Sequence, residues 1–200
     1  MSPRKVNKDE KRREVALACT EMLHEVGMKN ITVAQVAKTA GIGKGTVYEY
    51  FENKEDIIFE IINIHIEEYH KHFLESIKTV ETTKGKIIHF FNFVLDDSVE
   101  NMKHFNGYKE FLSVVLAEEN SAMKEFNCST HDFFKDQLTE ILEKGVENGE
   151  LKPEAIELAE GLLIFEKGLA LAKMSQNDHK VEERFEKFIN AIFKLIEVKK

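Results

Sequence analysis

Apolar residues recur along most of this chain at intervals of three and four positions, which is the spacing of a helix with one buried face. A first helix is predicted over residues 9–26, and Gly27 is suited to end it. Further helices are predicted over 33–39, 43–50, 54–78, 84–101, 104–118, 121–148, 154–175 and 180–198. No strand-like alternation of useful length occurs, and the two prolines are Pro3 and Pro153. The pattern therefore predicts an all-α fold.

The segment from Thr32 to Lys54 has the spacing of a helix-turn-helix. Thr32 is suited to cap its first helix, and Asn53 is suited to cap the long helix that begins at Lys54. Ala37 is small where two helices would cross, and Gly41 stands at a turn position that favours positive φ. The small core predicted beneath both helices consists of Val36, Ile42, Val47 and Phe51.

This segment resembles the DNA-binding domain of the TetR/AcrR family of repressors. After a helix that ends in glycine, that family has the pattern T-x-x-x-I-A-x-x-A-G-V-S-x-G-T-x-Y-x-Y-F-x-x-K-E-x-L, and this chain reads TVAQVAKTAGIGKGTVYEYFENKEDI from Thr32. The resemblance covers residues 10–60. It implies an N-terminal three-helix DNA-binding domain at residues 1–53 and a C-terminal helical bundle for ligand binding and dimerisation at residues 54–200.

The resemblance also implies that the second short helix enters the major groove of DNA. The residues expected to contact DNA are Thr32, Gly43, Lys44, Gly45, Thr46, Tyr48, Tyr50 and Lys54. Lys44 can donate to guanine O6 or N7, and the glycines allow close approach of the backbone. The hydroxyl groups and Lys54 are suited to phosphates, and Thr46 could instead touch a thymine methyl group. Tyr50 could also be partly core, and Lys54 could be merely solvated.

Two positions depart from the family pattern. Gly43 stands where serine is usual, which removes a hydroxyl group that could reach DNA. Glu49 lies beside the two tyrosines, and a carboxylate near phosphates is repulsive unless it accepts from a cytosine amino group or faces away. Both departures leave the fold intact and bear on the operator sequence.

The distribution of charge is uneven along the chain. The net charge is −8, but residues 1–56 hold ten basic and nine acidic side chains. The acidic excess therefore lies in residues 57–200. The basic residues at the start of the chain are Arg4, Lys5, Lys8, Lys11, Arg12 and Arg13. A basic edge on an acidic body fits a protein that touches DNA at one end. A solvated, charged tail would give the same pattern.

The C-terminal region is rich in aromatic residues, and by resemblance such regions bind small hydrophobic effectors. The candidate ligand-binding residues are Phe90, Tyr108, Phe111, Phe134 and Phe165. An aromatic stripe at helical spacing is also the ordinary pattern of a core.

The last two predicted helices are apolar on more than one side, which fits one side packed on the same chain and another on a second subunit. The residues predicted at a homodimer interface are Leu162, Phe165, Leu169, Phe185, Phe188, Ile189 and Ile192. A fully internal helix in a monomer is the alternative.

No cofactor and no metal site is expected. Cys128 and His131 could share a helix face, but a metal needs three or four converging ligands. Cysteines are sparse, no membrane-length apolar run occurs and the N-terminus lacks a signal-peptide core, so a soluble, cytoplasmic protein is expected.

The sequence therefore predicts a dimeric transcriptional regulator, not an enzyme, whose partners are a double-stranded DNA operator and a small hydrophobic effector. The leading hypothesis is a repressor that the effector releases from a palindromic operator. A regulator or activator without an effector is one alternative. A helical carrier of lipids or small molecules, or a helical-bundle enzyme, is another.

Overall fold

The computed structural model describes residues 7–27, 30–117, 121–175 and 180–199. Arg4, Lys5 and the predicted connection at residues 176–179 lie outside the described residues. The described part of the chain is all-α and holds no β-strand beyond one isolated bridge. The helices are α1 Lys8–Ala18, α2 Thr20–Val26, α3 Val33–Thr39, α4 Lys44–Tyr50, α5 Lys54–Ser76, α6 Thr83–Phe90, α7 Asn92–Leu95, α8 Val99–Ala117, α9 Ser121–Glu147, α10 Ala159–Ser175 and α11 Val181–Ile196. Short 3-10 helices cover Ile77–Thr79 and Pro153–Leu158.

The chain forms two compact units. The first consists of Met1–Phe73 with Asn106–Glu118, and the second of Leu74–Phe105 with Glu119–Lys200. Most of α5 and the second half of α8 therefore group with the N-terminal helices. The described helices of neither unit have the uninterrupted apolar length that a bilayer crossing requires.

The predicted first helix over 9–26 is wrong in one respect, because it is interrupted at Cys19. The N–H of Cys19 donates to the Ala16 carbonyl at 3.0 Å, a tighter turn than that of an α-helix. The Thr20 hydroxyl also donates to the Ala16 carbonyl, at 3.5 Å, and so competes with the backbone there. α2 then ends at Gly27, whose φ of +75° confirms the predicted glycine stop.

The predicted helix over 84–101 is also wrong, because the structure ends α6 at Phe90 and α7 at Leu95 and begins α8 at Val99. The Asp96 carboxylate accepts from the N–H and the hydroxyl of Ser98, at 2.8 and 2.9 Å. Ser98 Oγ in turn accepts from the N–H of Asn101 at 3.3 Å. This turn and cap stop one helix and start the next.

The core of the second unit centres on Phe91, which is fully buried. Its ring centroid lies 5.7 Å from that of Phe90, 5.9 Å from that of Phe165 and 4.8 Å from that of Phe185. These contacts join α6, α10 and α11. Aromatic pairs at such distances and tilts add to the stability gained from apolar burial.

Backbone hydrogen bonds tie the chain beyond α11 to the segment that precedes α10. The N–H of Lys152 donates to the Ile196 carbonyl at 2.8 Å, and the N–H of Val198 donates to the Glu150 carbonyl at 3.0 Å. Leu151 and Glu197 form the isolated antiparallel bridge between them.

Candidate nucleic-acid interface

The turn between α3 and α4 has the geometry that the sequence predicts. Gly41 adopts a φ of +66°, which favours glycine. The N–H of Gly41 donates to the Lys38 carbonyl at 3.3 Å, and the N–H of Ile42 donates to the Ala37 carbonyl at 2.9 Å. Gly43 is the N-cap of α4 and has extended backbone, with a φ of −72°. The turn therefore closes on hydrogen bonds of its own backbone.

One face of α4 is buried and the other is open to solvent. Val47 is 0% exposed and is buried with Val36 and Phe51, three of the four residues predicted to form the core, whereas the fourth, Ile42, is half-exposed. On the other side Lys44 is exposed and Tyr48 is 59% exposed. A tyrosine this exposed gains little from apolar burial, so its ring and hydroxyl remain available to a partner.

Gly43 and Gly45 are exposed, and the fold does not need them to be glycine. A Cβ atom at Gly43 would lie 3.8 Å from Thr46 Oγ1, an ordinary contact, and one at Gly45 would meet nothing within 4 Å. Neither residue has a positive φ. Thr46, which follows Gly45, and Tyr50, the last residue of α4, are both half-exposed.

Thr32 is exposed, and its hydroxyl is already engaged as a helix cap. The N–H of Gln35 donates to Thr32 Oγ1 at 3.3 Å, and the N–H of Thr32 donates to Gln35 Oε1 at 2.9 Å. The Thr32 hydroxyl also donates to Gln35 Oε1 at 2.7 Å. This capping box confirms Thr32 as the N-cap of α3.

Lys54 is half-exposed and is the first residue of α5. The predicted cap is confirmed, because Asn53 Oδ1 accepts from the N–H of Asp56 at 2.8 Å. Lys54 therefore lies at the positive end of the helix dipole, where backbone N–H groups and a lysine together suit an anion.

The structure reveals a cluster around Arg12 that the sequence did not predict. Arg12 donates to the Tyr50 carbonyl at 2.7 Å, to both carboxylate oxygens of Asp56 at 2.7 and 3.0 Å, and to Glu60 Oε2 from two nitrogens at 3.1 and 3.3 Å. Its guanidinium carbon lies 4.7 Å from the centre of the Phe51 ring. The Arg12 guanidinium lowers the pKa of the Asp56 carboxyl, and these bonds raise the pKa of Arg12. We call this set of five residues the Arg12 cluster.

Two neighbouring basic residues, Lys11 and Arg13, also have acidic partners. Arg13 pairs with Glu67 at 2.7 Å, and Lys11 pairs with Glu14 at 2.5 Å. The basic edge predicted from the sequence is therefore partly neutralised within the first unit. No local sequence signal could reveal the ion pairs of Arg12 and Arg13, because their acidic partners lie 44 to 54 positions away.

The five predicted ligand-binding residues fall in both units. In the second unit, the rings of Phe90 and Phe134 lie 5.7 Å apart, and Phe165 joins them through Phe91. Tyr108 and Phe111 belong to the first unit, where their rings lie 6.4 Å apart. Phe90 and Phe111 are buried, whereas Phe134, Phe165 and Tyr108 are half-buried.

Glu166 is a buried carboxylic acid in α10 that the sequence analysis did not single out. It is 7% exposed, and burial raises the pKa of its carboxyl group from 4.5 to about 7. The neighbouring Lys167 opposes this rise. The signal was present in the sequence, because Glu166 shares a helix face with Leu162, Leu163, Leu169 and Ala170.

His131 takes part in a polar cluster between α9 and α10. Its Nε2 lies 3.1 Å from Glu160 Oε1, and Lys167 Nζ lies 2.8 Å from its Nδ1. Burial lowers the pKa of Lys167. Cys128 is exposed. Among the described residues no three His, Cys, Asp or Glu side chains are grouped as metal ligands.

The predicted interface residues divide into two sets. Leu162, Leu169, Phe185 and Ile189 are buried within the protomer itself. Phe165, Phe188 and Ile192 are half-exposed, and the rings of Phe165 and Phe188 lie 3.9 Å apart. The exposed apolar residues of α10 and α11 are Ile164, Leu171 and Leu195, at 58%, 58% and 67%. None of these three is among the interface residues predicted from the sequence.

Comparison with known proteins relates both the sequence and the fold to regulators. Residues 18–61 match the profile of bacterial regulatory proteins of the tetR family. The fatty acid metabolism regulator protein of Bacillus subtilis is 28% identical over 141 residues, which are 68% of this chain and 68% of that protein. A TetR family regulator from Cytophaga hutchinsonii superposes with a TM-score of 0.78 at 16% identity, over 98% of this chain and 100% of that chain.

The transcriptional regulator FadR of Bacillus subtilis, solved in complex with stearoyl-CoA, superposes with a TM-score of 0.61 at 21% identity. That superposition covers 91% of this chain and 95% of the other. These likenesses extend over both units, whereas the profile match covers the helices around the exposed face of α4. From the matched profile and the helix-turn-helix geometry, we conclude that residues 18–61 form a tetR-type helix-turn-helix domain and that the chain is a DNA-binding transcriptional regulator.

Proposed function

We propose that this regulator is a repressor that binds a near-palindromic operator as a homodimer and leaves it when a small hydrophobic effector binds. Residues 1–53 would bind DNA, and residues 54–200 would bind the effector and the second subunit. The observation that carries this proposal is the open face of α4, where Lys44 and Tyr48 project beside two exposed glycines that the fold does not require.

The chemistry of this face suits the major groove. Lys44 stands at the first residue of α4, where a recognition helix enters the groove, and its ammonium can donate to guanine O6 or N7. The absence of side chains at Gly43 and Gly45 would let the backbone approach DNA closely. Tyr48, Thr46 and Tyr50 carry hydroxyl groups for phosphates or for a thymine edge.

The phosphate contacts would come from both ends of the helix-turn-helix. Lys54 would bind a phosphate together with the N-terminus of α5. Thr32 would lie beside a phosphate at the exposed N-terminus of α3. Its hydroxyl already bonds to Gln35, so its part would be to hold this helix end in place against the phosphate. Such contacts set the register of the protein on DNA and are sensitive to salt.

The support for a dimer is an apolar face on α10 and α11. On α10, Ile164 and Leu171 are exposed, and Gly161 and Gly168 lie in open space on the same side. On α11, Leu195 is exposed, and Ile192 and Phe188 are half-exposed about one and two turns before it. Exposed apolar residues aligned along two helices are typical of an interaction surface, and small residues allow helices to approach closely.

The effector class is proposed from the aromatic residues of the second unit and from the function named for one relative. Phe90, Phe134 and Phe165 belong to one connected aromatic cluster, which suits an apolar chain. The related fatty acid metabolism regulator and the complex of FadR with stearoyl-CoA support a long-chain acyl group as the apolar part. We therefore propose an acyl thioester of coenzyme A as the effector.

The energetic requirement is modest. To weaken operator binding a hundredfold, the effector must prefer the non-binding arrangement by about 2.7 kcal/mol. Burial of roughly 100 Å² more apolar surface in that arrangement would supply this, at about 25 cal/mol per Å². A few additional methylene groups of an acyl chain cover such an area.

Operator binding and release can be tested together. The wild-type protein is used to enrich duplexes from a random-sequence library, and the enriched duplex is titrated with Lys44→Ala, Lys54→Ala and wild-type protein. Lys44→Ala should cost about 1–3 kcal/mol and relax base preference. Lys54→Ala should weaken all duplexes alike and lower the salt slope by about one contact. Normal binding by both variants would remove these role assignments.

The effector arm of the test adds stearoyl-CoA to the wild-type complex, with coenzyme A and stearate as separate controls. Release by stearoyl-CoA alone would support an acyl thioester, and release by stearate would reduce the requirement to the acyl chain. If stearoyl-CoA raises the melting temperature but leaves operator affinity unchanged, the effector mechanism fails and the effector-independent regulator takes its place.

A further inference from the structure

We infer that Arg12 is a positioning residue for operator recognition, because it ties the end of the recognition helix α4 to the first turns of α5 without touching DNA itself. This inference rests on the proposed role of α4 as the helix that reads DNA. It concerns a residue of α1, outside the helix-turn-helix.

All the hydrogen-bonding capacity of Arg12 is used inside the first unit. A guanidinium has five N–H donors, and the structure gives Arg12 five bonds, to one carbonyl and two carboxylates. Its side chain is 19% exposed, and it lies against the face of the Phe51 ring. No N–H group is left over for a phosphate, so Arg12 is not a phosphate contact even though it belongs to the basic start of the chain.

The partners of Arg12 lie on the two sides of one joint. Tyr50 is the last residue of α4, and its carbonyl is one of those that a helix leaves without an intrahelical partner. Asp56 and Glu60 lie in the first two turns of α5. Phe51 begins the short link between these helices. Arg12 therefore bridges the joint from outside, with bonds to both helices.

The orientation of α4 matters because base recognition tolerates little displacement. Lys44 lies at the opposite end of α4 from Tyr50. A functional side chain has to be held within about 0.5 Å of its productive position, and this depends on the residues that support it. Loosening the Tyr50 end would let α4 tilt about the α3–α4 turn, which displaces Tyr48 and changes the direction from which Lys44 approaches a base. Contacts to phosphates tolerate such a tilt better, because their geometry is less restricted.

Asp56 offers a test in which charge and position predict opposite results. Asp56→Asn removes a negative charge close to the DNA-binding helices, so that electrostatics alone would strengthen binding to any DNA. The same change weakens the bidentate pair with Arg12. If Arg12 acts by positioning, Asp56→Asn should reduce the preference for the operator despite the favourable change in charge.

The experiment compares wild type, Arg12→Lys and Asp56→Asn with Arg13→Lys as the matched control. Arg13 is the adjacent residue, undergoes the same substitution and forms an exposed ion pair with Glu67 on α5. Affinity is measured for the duplex that the wild type enriches from a random library and for poly(dI-dC), each over a range of salt concentrations. Melting temperature is recorded for every variant.

Arg12→Lys and Asp56→Asn should each lower the operator affinity about tenfold, or about 1.4 kcal/mol, because α4 would occupy its productive orientation less often. Affinity for poly(dI-dC) should not fall, and the salt slope should be unchanged. Arg13→Lys should behave as the wild type does. The ratio of operator to poly(dI-dC) affinity is the decisive quantity, because a purely structural role would lower the melting temperature without changing that ratio in the folded protein.

Two results would overturn the inference and leave the proposed function intact. The first is an equal loss for both DNAs with a salt slope reduced by about 0.9, which is the signature of a lost phosphate contact. The second is an unchanged ratio in both variants. If the wild type itself enriches no duplex, operator binding fails and the role of Arg12 fails with it.

Discussion

Glu166 should make this protein less stable as the pH rises, and Glu166→Gln should remove that dependence. The carboxyl group is buried in α10, and burial raises its pKa from 4.5 to about 7. Below pH 4.5 both the folded and the unfolded chain hold the proton. Between these two values the unfolded chain releases it first, so that the free energy of unfolding falls as the pH rises. Above pH 7 the loss is complete.

The size of the effect follows from the two pKa values. One unit of pKa difference is worth about 1.4 kcal/mol. The interval from 4.5 to about 7 therefore corresponds to about 3 kcal/mol. Glutamine has nearly the same shape and no charge, so Glu166→Gln should be more stable than the wild type by up to that amount at pH 8. At pH 4.5 the two proteins should differ little.

The assay is urea denaturation of both proteins from pH 4.5 to 8, at one fixed protein concentration because dimerisation would make stability depend on it. Glu160→Gln is the control, since it is the same substitution on the same helix. The pKa of Glu160 is lowered by its interaction with Lys135, whose Nζ lies 3.2 Å from Glu160 Oε2, and the residue is half-exposed. Glu160→Gln should therefore not stabilise the protein at high pH. A constant difference between Glu166→Gln and wild type at every pH would refute the reasoning.

Two further predictions concern packing. Leu171→Glu should convert the proposed dimer to monomer in sedimentation, because it places a charge on the exposed apolar face of α10. Val99→Glu, at a 79% exposed site, is the control and should leave the oligomeric state unchanged. A dimeric Leu171→Glu protein would locate the interface elsewhere. Gly145→Ala should cost about 1–3 kcal/mol in denaturant unfolding, since its Cβ would lie 2.7 Å from the Thr83 side chain. Gly107→Ala, with open space around the Cβ, should instead be neutral or stabilising by up to about 1 kcal/mol, and equal effects of the two alanines would contradict the packing argument.

The helix-turn-helix was predictable because each of its signals is local. Thr32 caps a helix through a glutamine three positions away, and Gly41 marks a turn through its own φ. Asn53 caps α5 through an N–H three positions later. Such interactions depend on a few neighbouring residues, and the identity of those residues is enough to predict them.

The Arg12 cluster was not predictable in the same way. Its ion pairs join α1 to α5 across 44 and 48 positions, and nothing near Arg12 in the sequence distinguishes it from Arg13. Both lie in a basic stretch, and only the three-dimensional arrangement shows that one is enclosed by two carboxylates and the other is exposed.

The two faces of α10 show a second limit of the sequence. Apolar residues occur around most of its circumference, so periodicity alone cannot say which of them fill the core of the protomer. The structure buries Leu162 and Leu169 and exposes Ile164 and Leu171. A buried position is decided by the neighbouring helices, which the helix's own sequence does not specify.

The hydrogen bonds of Lys152 and Val198 close the helical hairpin of α10 and α11 at its open end. A closed hairpin resists fraying, because its terminal turns cannot separate without breaking both bonds. In the proposed dimer, each protomer would therefore carry α10 and α11 already aligned before it meets its partner. Subunits built in this way can exchange between dimers by docking as rigid pieces, so that mixing two differently labelled preparations should give hybrid dimers without any unfolding step.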